Sequence, residues 1–121
     1  MQKLTAKEED IMQVLWTLEK AFIKEIMANL PGDQHYNTLS TFVRILEDKG
    51  FVTHNSFGNS HQYYPLVSKE NYKKSQIDVT INNYFNSSYK NMVSFFASEK
   101  KITAEELREV LEMIEAQNKK K

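Results

Sequence analysis

Along the first half of the chain, apolar residues return every three or four positions. Ile11, Leu15 and Leu18 fall on one side of a helix, with Met12, Val14 and Trp16 widening the same surface. Thr5, followed three residues later by Glu8, has the capping-box spacing that starts such a helix. Ile23, Ile26, Met27 and Leu30 predict a shorter second helix from about Ile23 to Leu30, stopped by Pro31, Gly32 and Asp33. Between His35 and Gly50 the run HYNTLSTFVRILEDKG carries two stripes. At about 100° per residue, Leu39, Phe42, Val43 and Leu46 share one side, while Asn37, Ser40, Thr41 and Arg44 lie nearly opposite. Gly50 supplies the carboxy-terminal stop. The pattern then becomes that of strands: FVTHN and HQYY are β-favouring runs, SFGNS between them has the composition of a hairpin loop, and Pro65 closes the second run.

Beyond Val67 the pattern is helical only. Ser68 can cap a helix in which Ile77, Ile81, Tyr84 and Phe85 form a stripe, and Asn86 to Ser88 breaks it. Tyr89, Met92, Val93 and Phe96 make a second stripe. Thr103 and Glu106 repeat the capping-box spacing, Ile102 and Leu107 stand where a hydrophobic staple would, and Leu107, Val110, Leu111 and Ile114 follow. Lys119, Lys120 and Lys121 suit a frayed helix carboxy terminus. Two helices, a short turn, a third helix and a hairpin is the order of a winged helix-turn-helix. The expected fold is therefore mainly α with a small β-hairpin. A winged helix-turn-helix domain over 1–67 is followed by a three-helix region over 68–121.

Composition narrows the function classes. No run approaches the roughly 18 apolar residues of a spanning helix, and MQKLTAKEED lacks the apolar core of a signal peptide, so the expected location is cytoplasmic, without membrane insertion. With no cysteine, disulfides, thiolate metal sites and a cysteine nucleophile are excluded. The formal net charge is zero. Through Val67 six basic residues (Lys3, Lys7, Lys20, Lys24, Arg44, Lys49) face eight acids (Glu8, Glu9, Asp10, Glu19, Glu25, Asp33, Glu47, Asp48), a net charge of −2. A grip on a phosphate backbone would have to come from locally placed cations, neutral donors and helix ends.

The polar stripe of the third helix fits that requirement. Asn can pair with adenine, Arg with guanine, and Ser or Thr with bases or phosphates. An ordinary solvated helix face also shows a polar stripe, but it favours Glu and Lys, which are better helix formers than Asn, Ser and Thr. Asn37, Ser40, Thr41 and Arg44 are thus the expected DNA contacts. Lys49, and His54 and His61 on the two hairpin strands, are expected contacts to the DNA backbone. A metal pair would need His54 and His61 to face each other across the hairpin, and even then two imidazoles without a nearby cysteine or carboxylate are a poor ligand set, so no metal is expected, and no cofactor. Of Tyr63 and Tyr64, at least one should pack inward.

The chain is not expected to be an enzyme: its acids lie on solvated helix faces, and it has no glycine-rich phosphate loop or nucleophile motif. The carboxy-terminal helices carry more apolar surface, Phe85, Phe95 and Phe96 included, than so short a bundle can cover, and pairing with a second copy is the economical solution. The expected contacts are Ile77, Ile81, Tyr84, Phe85, Met92, Val93, Phe96, Leu107, Val110, Leu111 and Ile114. A different reading, supported by the negative amino-terminal half, is a winged-helix module that docks on a protein and never binds DNA.

LTAKEEDIMQVLW, HYNTLSTFVRILEDKGFV, HQYYPLVSKENY and ITAEELREVLEMIE, in this order and spacing, resemble the penicillinase-repressor family of transcription regulators, the BlaI/MecI type. The likeness runs from Leu4 to about Ile114. It implies a homodimeric repressor that holds operator DNA through an amino-terminal winged helix-turn-helix, often upstream of β-lactamase or related resistance genes. It implies derepression when a membrane-sensor protease pathway cuts the dimerisation region. The family's recognition positions fall on Asn37, Thr38, Ser40, Thr41 and Arg44. Some members have a basic residue at the position of Asn37 or Ser40. The Asn-Phe bond cut in the resistance repressors falls on Phe95-Phe96, so the cleavage signal is altered. A copper-responsive branch that switches through carboxy-terminal cysteines is excluded.

Overall fold

The computed structural model describes residues 1–119; Lys120 and Lys121, and with them the end of the expected lysine tail, lie outside the described residues. The order is α1 (Ala6–Leu18), β1 (Ala21–Phe22), α2 (Ile23–Ala28), α3 (Tyr36–Asp48), β2 (Val52–Phe57), β3 (Ser60–Pro65), α4 (Lys69–Tyr84), α5 (Tyr89–Ser98) and α6 (Ala104–Lys119). The chain separates into two compact units, Met1–Gln76 and Ile77 onward.

In the first unit α1 starts on the expected capping box. The Glu8 N–H donates to Thr5 Oγ1 at 3.2 Å, and the Thr5 N–H donates to Glu8 Oε1 at 2.9 Å. Its apolar side buries Ile11, Met12 and Leu15, which meet Ile23 and Ile26 of α2 and Leu39, Val43 and Leu46 of α3 in one core. At the end of α3 the Phe51 N–H reaches the Leu46 carbonyl at 3.0 Å and the Gly50 N–H reaches the Glu47 carbonyl at 3.0 Å, a Schellman motif closed by Gly50 at φ +84°. Gly50→Ala should therefore lower stability by about 1–2 kcal/mol in urea unfolding, although a Cβ there would meet no neighbouring atom.

The hairpin is longer than its composition suggested. Ser56, Phe57 and Ser60, expected in the loop, extend the strands, so Phe57 pairs with Ser60 across a two-residue turn of Gly58 and Asn59. Gly58 has φ +62°, the left-handed first position of a type II′ turn, whose twist matches that of the strands. A third strand was not expected: Ala21 and Phe22 pair with Tyr63 and Gln62, placing β3 in the centre of a β1-β3-β2 antiparallel sheet. Tyr63 packs inward at 7% exposure, as expected of one of the two tyrosines.

The first unit closes on α4. Tyr72 lies edge-on to Phe51, packs against Trp16, and accepts the Leu4 N–H on its hydroxyl at 3.0 Å. The Trp16 indole N–H donates to the Val67 carbonyl at 2.9 Å.

In the second unit Asn86 and Ser87 end α4 with φ of +51° and +61°, Ser88 caps α5, and the Thr103–Glu106 pair caps α6. The Phe85, Phe95 and Phe96 rings pack in series, with centroids 5.7 and 5.8 Å apart. Ile77, Tyr84, Val110, Leu111 and Ile114 remain exposed, whereas Phe85, Met92, Val93, Phe96 and Leu107 are partly covered. Ile81 differs from the other expected dimer contacts: it is 1% exposed within its own chain, which leaves it nothing to offer a partner. No described helix is long and apolar enough to cross a membrane.

Candidate nucleic-acid interface

The stripe read from the periodicity of α3 has the orientation that periodicity implied. Leu39, Val43 and Leu46 are buried, while Asn37, Thr38, Thr41 and Arg44 are exposed and Ser40 is half-buried. The Thr41 hydroxyl donates to the Asn37 carbonyl at 3.0 Å, leaving its lone pairs outward. His35 provides no side-chain cap and the first turn of α3 has no acid, so its backbone N–H groups are open to an outside acceptor.

Between α3 and the hairpin lies an open cleft of about 640 Å3. Tyr36, Asn37, Ser40 and Arg44 form the α3 wall; Phe57, Asn59, Ser60 and His61 form the hairpin wall; Phe22 to Glu25 close one end. Tyr36 escaped the sequence reading although it stands one turn before Ser40 and two before Arg44, on the same helix face. Lys24, Asn59 and Ser60 carried no signal of their own, since only the pairing of β1 with β3 and the tight turn bring them to the cleft.

Tyr63 lies beneath this cleft. Burial pushes its phenol pKa up, the Glu47 charge adds to the rise, and Arg44 partly offsets it. The phenol is therefore a neutral hydrogen-bonding group at physiological pH.

Two expected contacts are already engaged within the chain. Lys49 Nζ donates to both Glu8 oxygens, at 3.0 and 2.8 Å, joining the end of α3 to the start of α1. That replaces a free phosphate-binding cation with an internal ion pair. His54 Nδ1 lies 2.6 Å from Glu47 Oε2, which ties the hairpin to α3. His61 stacks on the His54 ring at 4.0 Å with the planes 6° apart, and itself faces the cleft. The two rings face each other as conjectured for a metal pair, yet no group of three or more ligating side chains suited to a metal occurs among the described residues.

Three helices around one core, with a reading-type helix exposed and a hairpin after it, define a winged helix-turn-helix protein. The chain belongs to the penicillinase-repressor family, whose sequence profile matches residues 4–116. This is a family of DNA-binding transcriptional repressors, not of enzymes. The chain is 22% identical to the penicillinase repressor of Bacillus licheniformis, over 98% of this chain and 94% of that one. It is also 22% identical to the methicillin resistance regulatory protein MecI of Staphylococcus aureus strain N315, over 89% of each. Among solved structures, the complex structure of hsRosR-S4 shares the fold, with a TM-score of 0.55 at 16% identity, covering 83% of this chain and 91% of that one.

Proposed function

We propose that the chain is a homodimeric repressor in which residues 1–67 hold double-stranded operator DNA and residues 68–121 pair with a second copy. The observation that carries this reading is the exposed Asn37–Arg44 face of α3 standing beside the hairpin cleft. The helix enters the major groove, where Asn37, Thr38, Ser40, Thr41 and Arg44 meet base edges and phosphates, and the hairpin follows the backbone with His61 toward it. His54 acts from behind, by fixing the hairpin to Glu47. Lys49 stays with Glu8. Dimer contacts fall on the exposed side chains of α4 and α6, Ile77, Tyr84, Val110, Leu111 and Ile114, with the half-covered Phe85, Met92, Val93, Phe96 and Leu107 around them.

Two such dimer arms offset the weak charge by doubling the contacts. The controlled genes are those of β-lactam resistance or a related response, and the signal is a cut by a sensor-pathway protease. The Phe95-Phe96 bond lies within α5, so cleavage there requires that helix to open first.

Selection from random duplex DNA tests the reading. Enrichment of a two-fold symmetric sequence supports it; a pool that stays random would favour the protein-docking module, for which the net −2 of the amino-terminal half speaks. Arg44→Ala should weaken binding to the selected site by about 1–3 kcal/mol and relax preference at one base position, measured by fluorescence anisotropy.

A further inference from the structure

The cleft beside α3 holds more than a phosphate backbone can use. Its volume of about 640 Å3 is that of a small-molecule site. Two cations, Lys24 and Arg44, line it, and among the described residues neither makes an ion pair. Glu25 is the single carboxylate in the lining, and its Oε1 accepts the Phe22 N–H at 2.9 Å, holding it to the start of α2.

Four Phe and Tyr rings share the same lining. Phe22 and Phe57 meet edge to face at 5.9 Å. Tyr63 is buried, and Tyr36 and Phe57 are about half exposed. A sugar–phosphate chain engages cations and hydroxyls but gains little from ring faces. A flat ligand with a negative charge engages both, since rings stack on rings and a guanidinium binds a carboxylate through paired N–H bonds.

We propose that this cleft is an effector site for a small planar aromatic anion, an aromatic carboxylate of one or two fused rings, whose occupation excludes DNA from α3. Exclusion follows from shared residues: Asn37, Ser40 and Arg44 line the cleft and belong to the face that meets DNA. The site itself stands apart from the repressor reading; only the exclusion rests on it.

The probe is 2-naphthoate, titrated into the isotopically labelled full chain and followed by nuclear magnetic resonance. Expected are shifts at Tyr36, Ser40, Arg44 and Phe57 with none beyond Ile77, and binding about tenfold weaker for the neutral 2-naphthamide. Arg44→Gln and, separately, Phe57→Ala should each weaken naphthoate binding about fivefold or more. No shift at millimolar naphthoate, shifts confined beyond Ile77, or equal binding of the amide would overturn the site. Naphthoate should also displace labelled duplex DNA competitively, and DNA held unchanged at saturating naphthoate would overturn the exclusion. Naphthoate bound in the cleft of a chain that binds no duplex supports the site and sinks the repressor reading instead.

Discussion

In the proposed dimer, Leu111→Glu should break the pairing of the two copies and lower affinity for the two-fold DNA site by about two to four orders of magnitude. Leu111 stands on α6 at 53% exposure, flanked on the same face by Val110 and Ile114 at 49% each. Within one chain about half of that face is open to solvent, so a carboxylate there can stay hydrated. In a dimer interface the same carboxylate would be buried without a partner, at a cost of several kcal/mol. Glu is also a strong helix former, so α6 keeps its helix. Sedimentation measures the association state, circular dichroism the retained helix, and anisotropy the lost affinity, most of it from losing the second arm rather than any contact of α3. A variant that stays dimeric with unchanged affinity places the interface elsewhere.

Lys49→Met should lower stability by about 3 kcal/mol, because it strands a buried carboxylate. Glu8 is 2% exposed, and Lys49 is its cation. Burial by itself raises the Glu8 pKa. The hydrogen bond from Lys49, those from the Thr5 backbone and hydroxyl, and the Lys49 charge together outweigh it, and the net shift is downward. A depressed carboxylate pKa contributes stability above the ordinary Glu range, near about pH 4.3, and that contribution is lost as pH falls through the folded-state value. The wild type should therefore lose stability on acidification through this group. In Lys49→Met burial is opposed only by Thr5, so the penalty is present at neutral pH and eases as Glu8 takes up a proton. Urea unfolding at neutral and acid pH measures both limbs, and Glu8→Gln combined with Lys49→Met should recover part of the loss. Folded Lys49→Met should bind DNA as the wild type does; full stability with weaker binding to every sequence would restore Lys49 to the phosphate contacts.

The sequence made legible whatever depends on period and local caps. The α3 stripes were readable because a buried Leu39, Val43 and Leu46 leave the opposite side chains outside by geometry alone, and the Thr5–Glu8 and Thr103–Glu106 boxes are pairs three residues apart. What escaped depends on contacts between distant residues. Ala21 and Phe22 are too few to show a strand's alternation, and only β3 makes them one. Ser56, Phe57 and Ser60 have loop-like neighbours, and cross-strand pairing overrides that preference. Lys49 and Glu8 are 41 positions apart, so no local pattern discloses that the cation is committed. The cleft is the extreme case: its walls come from five separate elements.

Trp16 is the single tryptophan of the chain. Its indole is fixed to Val67 and packed against Tyr72, so it belongs wholly to the first compact unit, and the unit beginning at Ile77 has no such chromophore. Excitation at tryptophan wavelengths thus follows the melting of one unit against a dark second one, while far-ultraviolet dichroism sums the two. Where the two melting curves part company, the difference between them is the unfolding of the carboxy-terminal helices, obtained without a label.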